Sequence, residues 1–184
     1  MKQTTFSYLS ILLSAAVFTA CGDQASTENE HKHEQEMTST ETPVKTGEAQ
    51  ISDATLNAVY PHYLTLAEAL VTENTAQARI SANAIAVGTE SLGSGNSIYT
   101  QAKRIAESDQ LDELRTLFSP LSNELIEKIK AAGVSSGAVY VEFCPMAFND
   151  KGGYWLSDKK TIRNPYYGDE MLNCGTVKET LGGE

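Results

Sequence analysis

Positive charge is what this sequence most conspicuously lacks: 14 Lys and Arg stand against 24 Asp and Glu, a formal net charge of −10. Nucleic-acid binding needs a basic footprint that displaces phosphate counterions, so the balance argues against that class and against a polybasic membrane-surface patch. The composition also excludes collagen-like, coiled-coil and multi-span membrane chains. Signatures of common enzymes are missing too. Gly93-Ser94-Gly95 begins like a dinucleotide loop but has no third glycine and no preceding strand. There is no phosphate loop, nucleophile elbow or paired-histidine zinc motif. A Cys144–His62 thiol dyad is conceivable, but Pro145 removes a backbone donor where an oxyanion hole would need one. No enzyme is expected, and 184 residues suit one folded domain.

What is present begins with an address. Lys2 precedes a mostly apolar run from Phe6 to Ala20, too short for a spanning helix. It ends Phe18-Thr19-Ala20-Cys21-Gly22, which looks like a bacterial lipobox, with Phe18 where an aliphatic residue is usual. Residues 1–20 are expected to be a lipoprotein signal peptide and Cys21 the lipidation site, plain secretion being the alternative. Each buried acyl methylene contributes about 0.8 kcal/mol, and two or more chains hold a protein stably on a bilayer. The expected location is the bacterial cell envelope, lipid-anchored on its periplasmic or surface side, where disulfides are permitted.

Residues 21–50 read as an acidic, disordered tether. Seven acids face only Lys32 and Lys45, and Met37 and Val44 are the only large apolar side chains, too few to offset ordering entropy. A flexible chain of that length reaches about 30 Å. His31, His33 and Met37 are candidates there for weak, labile metal capture.

From residue 51 to 184 the pattern is that of a mainly α domain. Leu56, Val59, Tyr60, Tyr63, Leu64, Ala67, Leu70 and Val71 recur at helical spacing, with Pro61 expected to kink the helix or mark a late start. Asn74 and Gln77 form a capping-box-like start for an Ala-rich helix. A shorter helix spans about Ile98 to Ala106. Ser108 or Asp109 caps a longer one, which carries Leu111, Leu114, Phe118, Leu121, Leu125 and Ile129 and ends near Gly133 despite Pro120. Together these predict an antiparallel helical bundle. Val139-Tyr140-Val141-Glu142-Phe143 reads as a short strand, and the remainder as an irregular, aromatic-rich segment with Tyr154, Trp155, Tyr166 and Tyr167 packed on the bundle.

Two cysteines lie in this domain, each near a methionine. In Cys144-Pro145-Met146 an extended backbone would point both sulfurs to one side; in Met171-Leu172-Asn173-Cys174 a helical turn would do the same. Two thiolates and two thioethers are soft donors suited to Cu(I) or a similar ion. A cysteine pair in an exported domain also fits a structural disulfide, with the methionines as packing. The two readings merge in a pair that binds copper only when reduced. His62, alone on the first helix, is a further candidate ligand.

The stretches Tyr140-x-x-Phe143-Cys144-Pro145-Met146-Ala147, Gly152-x-Tyr154-Trp155-Leu156-Ser157, Ile162-Arg163-Asn164-Pro165-Tyr166-Tyr167-Gly168 and Met171-Leu172-x-Cys174-Gly175 resemble an uncharacterised bacterial exported-domain family. Upstream, Tyr63-Leu64-x-Leu66-x-x-Ala69-Leu70-Val71 and Arg115-x-x-Phe118-x-x-Leu121-Ser122 fit as well. That family also occurs at the C-terminal end of periplasmic adaptor subunits of copper/silver efflux systems. The resemblance implies a helical domain with a heavy-metal role and an efflux or metal-handling partner. The adaptor's hairpin and barrel domains have no counterpart here. The expected function is a membrane-anchored domain that buffers Cu(I) or transfers it to an efflux partner. The rival is a non-catalytic protein-interaction lipoprotein with a Cys144–Cys174 disulfide and no cofactor.

Overall fold

A computed structural model describes residues 48–93 and 95–183 of the chain. The expected signal peptide and lipidation site Cys21, with the tether candidates His31, His33 and Met37, lie outside the described residues. Four helices dominate: α1 (Ala54–Val71), α2 (Thr75–Thr89), α3 (Ser97–Glu107) and α4 (Leu111–Ala132). Each packs on the next in sequence, and α4 also meets α1. None of the described helices is long and apolar enough to cross a membrane.

Helix α1 starts where Asp53 Oδ1 accepts the Leu56 N–H at 2.9 Å. It runs from Ala54 through Pro61, so the proline does not mark a late start. Both Pro61 and Pro120 occupy exposed positions of their helices. The carbonyl each one frees, four residues back, therefore faces water, while the opposite face packs. Asn74 caps α2 by accepting the Gln77 N–H at 3.0 Å, but the Gln77 side chain turns to Ser81 instead of closing the box. Before α4, Ser108 accepts the Gln110 N–H and donates to Glu113, so it braces the helix start without being its cap residue.

The C-terminal region departs from expectation. Instead of one strand in an irregular segment, it forms an antiparallel sheet of order β4-β3-β5, with β3 at Ala138–Cys144, β4 at Gly153–Ser157 and β5 at Thr176–Gly182. Trp155 lies opposite Glu142, and Gly153 opposite Cys144. Between Val141 and Glu142 the pairing with β5 slips by a residue. A smaller ladder joins β1 (Gln50–Ile51) to β2 (Val134–Ser136), so ordered structure begins before α1. The three-stranded sheet forms because each edge of β3 finds a tertiary partner, and no local periodicity announces β5, whose residues are mostly exposed.

Helices and sheet meet at Tyr63. Its ring stacks on Phe118 with centroids 5.2 Å apart. Its hydroxyl shares a 2.8 Å hydrogen bond with Ser122 and accepts the Leu156 N–H at 3.0 Å, so one buried side chain ties α1, α4 and β4 together. Two other buried polar groups have no hydrogen-bond partner among the described residues: the Tyr60 hydroxyl and both carboxylate oxygens of Glu142. Burial pushes the Glu142 carboxyl up to about 8; the nearby Trp155 indole opposes the rise and the Asp158 carboxylate adds to it.

Candidate metal centre

Cys144 is the last residue of β3 and is 0% exposed. The chain leaves the strand at once: Pro145 and Met146 form a turn, Met146 with φ −85° and ψ −13°, and Phe148, Asn149 and Asp150 all take left-handed conformations. This turn corrects the expected extended Cys144-Pro145-Met146 geometry. Cys144 points into the core while Met146 is 46% exposed, so residue alternation does not bring their sulfurs to one side. Proline's lack of an N–H prevents the ladder from continuing past Cys144.

Cys174 reaches the same place from the other direction. A short 3₁₀ turn at Gly168–Met171 leads into it, and its N–H bonds the Met171 carbonyl at 2.9 Å, which supplies the expected turn between the two residues. Cys174 Sγ lies 2.9 Å from Cys144 Sγ. The pair therefore meets across 30 residues of sequence, one thiol fully buried and the other half-buried. The hydrogen bond with Cys144 raises the Cys174 pKa most; burial and the neighbouring thiol's charge add to this, while the Met146 backbone N–H works against it by stabilising the thiolate.

Met171 is half-buried beside this turn. His62 stands exposed on α1, and among the described residues no third His, Cys, Asp or Glu joins the two cysteines in a metal-sized group. What the structure brings together is thus the dithiol, with Met146 and Met171 adjoining Cys174 through their backbones. Tyr167 borders it by donating its hydroxyl to the Met146 carbonyl at 2.7 Å. Burial raises the Tyr167 pKa, with the two thiols and the carboxylates of Asp150 and Glu170 adding to the effect.

The aromatic set divides. Trp155 and Tyr166 are buried and meet edge to face, and Tyr166 also packs against Phe118 and Phe148, whereas Tyr154 is 40% exposed and rests on Phe143. Two residues that sequence reasoning did not single out matter here. Asn164, 0% exposed, hydrogen-bonds the Cys174 carbonyl through its side chain. Arg115 donates to the Pro165 carbonyl at 3.2 Å and pairs with Glu73, so it ties the loop that carries Cys174 to the helices. The Arg163-to-Gly168 stretch and the Arg115 motif were visible, but nothing in the order of residues shows which side chain reaches which backbone.

Residues 59–137 match the model of a family described as protein of unknown function (DUF3347). The match covers the four helices from Val59 onward and ends before β3 and both cysteines. No curated protein and no solved structure matches the chain.

Proposed function

We propose that this chain is a membrane-anchored lipoprotein of the bacterial cell envelope whose reduced Cys144–Cys174 pair binds Cu(I), or a similarly soft ion, as cargo. It buffers the ion or passes it to an efflux or other metal-handling partner. The observation that carries this reading is the 2.9 Å approach of two sulfurs that nothing in the sequence order requires to meet. Two thiolates suffice for a low-coordinate soft cation, and Met146 and Met171 offer thioethers of the same softness. The carboxylates of Asp150 and Glu170, near enough to act on Tyr167, favour a cation's approach. On this reading the helices form an antiparallel bundle that serves as scaffold, and Cys21 carries the anchor.

A second reading is favoured by the complete burial of Cys144 and by the missing third ligand among the described residues: a structural disulfide in a non-catalytic interaction protein. Thiol counting with and without reductant, then Cu(I) titration of the reduced chain against a chromophoric competitor, separates them. One ion per chain is expected to bind tightly, and Cys144→Ser should abolish it. Replacing Met146 and Met171 together with leucine nearly conserves volume, so weakened binding with an intact fold would add the thioethers to the site. Reduced wild-type chain that binds no more tightly than Cys144→Ser would remove the metal reading and leave the disulfide.

A further inference from the structure

We infer that Asn164 is the positioning residue of the dithiol: it fixes the backbone of Cys174 so that the two sulfurs are held together whether or not they are bonded. The inference rests on the Cys144–Cys174 pair as the functional site proposed above, and concerns what sets that pair's redox equilibrium.

Asn164 is fully buried, and both functional groups of its side chain are used. Oδ1 accepts the Tyr166 N–H at 2.8 Å, and Nδ2 donates to the Cys174 carbonyl at 2.9 Å. Its backbone N–H donates to the Leu172 carbonyl, and its own carbonyl accepts the Gly168 N–H. One residue therefore gathers the loop between positions 164 and 174 around itself. Cys174 is pinned from both sides, by the Met171 carbonyl on its N–H and by Asn164 on its C=O. With the main chain fixed at both peptide groups, its Cβ has little freedom to swing the sulfur away from Cys144.

The chemistry suits a short amide. One buried point must accept one hydrogen bond and donate another, which Asp cannot do when ionised and Leu cannot do at all. Pro165 disfavours the helical region for Asn164. Arg163 forms a two-pronged ion pair with Glu68, at 2.9 and 2.6 Å, and Arg115 holds the Pro165 carbonyl, so the residues on either side of Asn164 are tied to α1 and α4. Gly168 completes the loop with φ +56°; a Cβ there would stand 2.8 Å from the Val71 carbonyl oxygen.

The test reads the equilibrium of the pair with glutathione in the full chain carrying Cys21→Ser, so that only two thiols count. The dithiol gives up two electrons and two protons to one glutathione disulfide, forming the Cys144–Cys174 bond and two glutathione molecules. Asn164→Ala and Asn164→Asp should each lower this equilibrium constant about three- to tenfold, because the Cys174 backbone freed in the dithiol must be ordered again to close the bond. Asn164→Asp keeps the acceptor for Tyr166 and so isolates the bond to Cys174. Leu125→Ala, a core change in α4, should lower the melting temperature and leave the constant unmoved. In the wild-type chain the Asn164 side-chain amide protons should exchange with solvent far more slowly than those of exposed Asn83. An unshifted constant in folded Asn164 variants would overturn the inference, as would equal exchange rates even if neither variant folds. No metal enters this measurement. A shifted constant in a chain that fails to bind Cu(I) would leave Asn164's role standing and remove only the metal reading.

Discussion

Two tyrosines one helical turn apart in α1 show how much a hydroxyl's surroundings decide its contribution. Tyr63 is satisfied by Ser122 and Leu156, so Tyr63→Phe strands a buried N–H and should cost roughly 1–3 kcal/mol. Tyr60 is just as buried but has no partner among the described residues, so Tyr60→Phe should be neutral or stabilise the fold by up to about 1 kcal/mol. Urea unfolding of the two variants side by side checks the contrast; equal losses would refute it. Glu142 gives the chain a pH dependence of definite sign. Its carboxyl sits at about 8 in the folded chain against an ordinary 4.5, so between those values folding takes up a proton. Stability should therefore fall as pH rises from about 4.5 to about 8, then level off, with a total on the order of several kcal/mol. Glu142→Gln should flatten that slope, which urea midpoints at pH 5 and pH 9 would reveal. A Gln variant as pH-sensitive as the parent would show that other groups carry the effect.

At the scale of elements, the sequence was legible where one helical face could be read by itself. Leu114, Phe118, Leu121, Leu125 and Ile129 mark α4, and Asn74 marks the start of α2, because spacing and capping are local. Pro61 does not delay the start of α1, since a proline on a solvent-facing position leaves its freed carbonyl to water. Strand β4 was hidden within its aromatics, and β5 within a polar tail, because their pairing with β3 is a tertiary fact. The site followed the same rule. Softness made Cys144 and Cys174 conspicuous by residue type, whereas the Met146 turn and the reach of Asn164 depend on backbone paths that no spacing encodes. Strand β1 adds a testable boundary. Ile51 is buried, its N–H bonds Asn57, and Ser52 N–H bonds the Gly133 carbonyl. A chain begun at Glu48 should keep the parent's melting temperature, while one begun at Asp53 should lose roughly 2–3 kcal/mol, mostly the burial of Ile51. Equal melting of the two would show that β1 contributes nothing.

For the molecule as a whole, the four long helices precede both Cys144 and Cys174 in the chain, and two pairings wait on residues made much later. Ile51 must wait for Val134 to close its ladder, and Cys144 must wait for Cys174. That order has a consequence for how the chain matures. At a synthesis rate of roughly 5–20 residues per second, about 2–6 s separate the appearance of the two thiols. During that interval the one cysteine preceding Cys144 is Cys21. An oxidising compartment entered from the N-terminus would thus offer Cys144 the wrong mate before the right one. On the lipoprotein reading proposed above, acylating Cys21 would withdraw that competitor, so that the modification would also guard the meeting of Cys144 with Cys174.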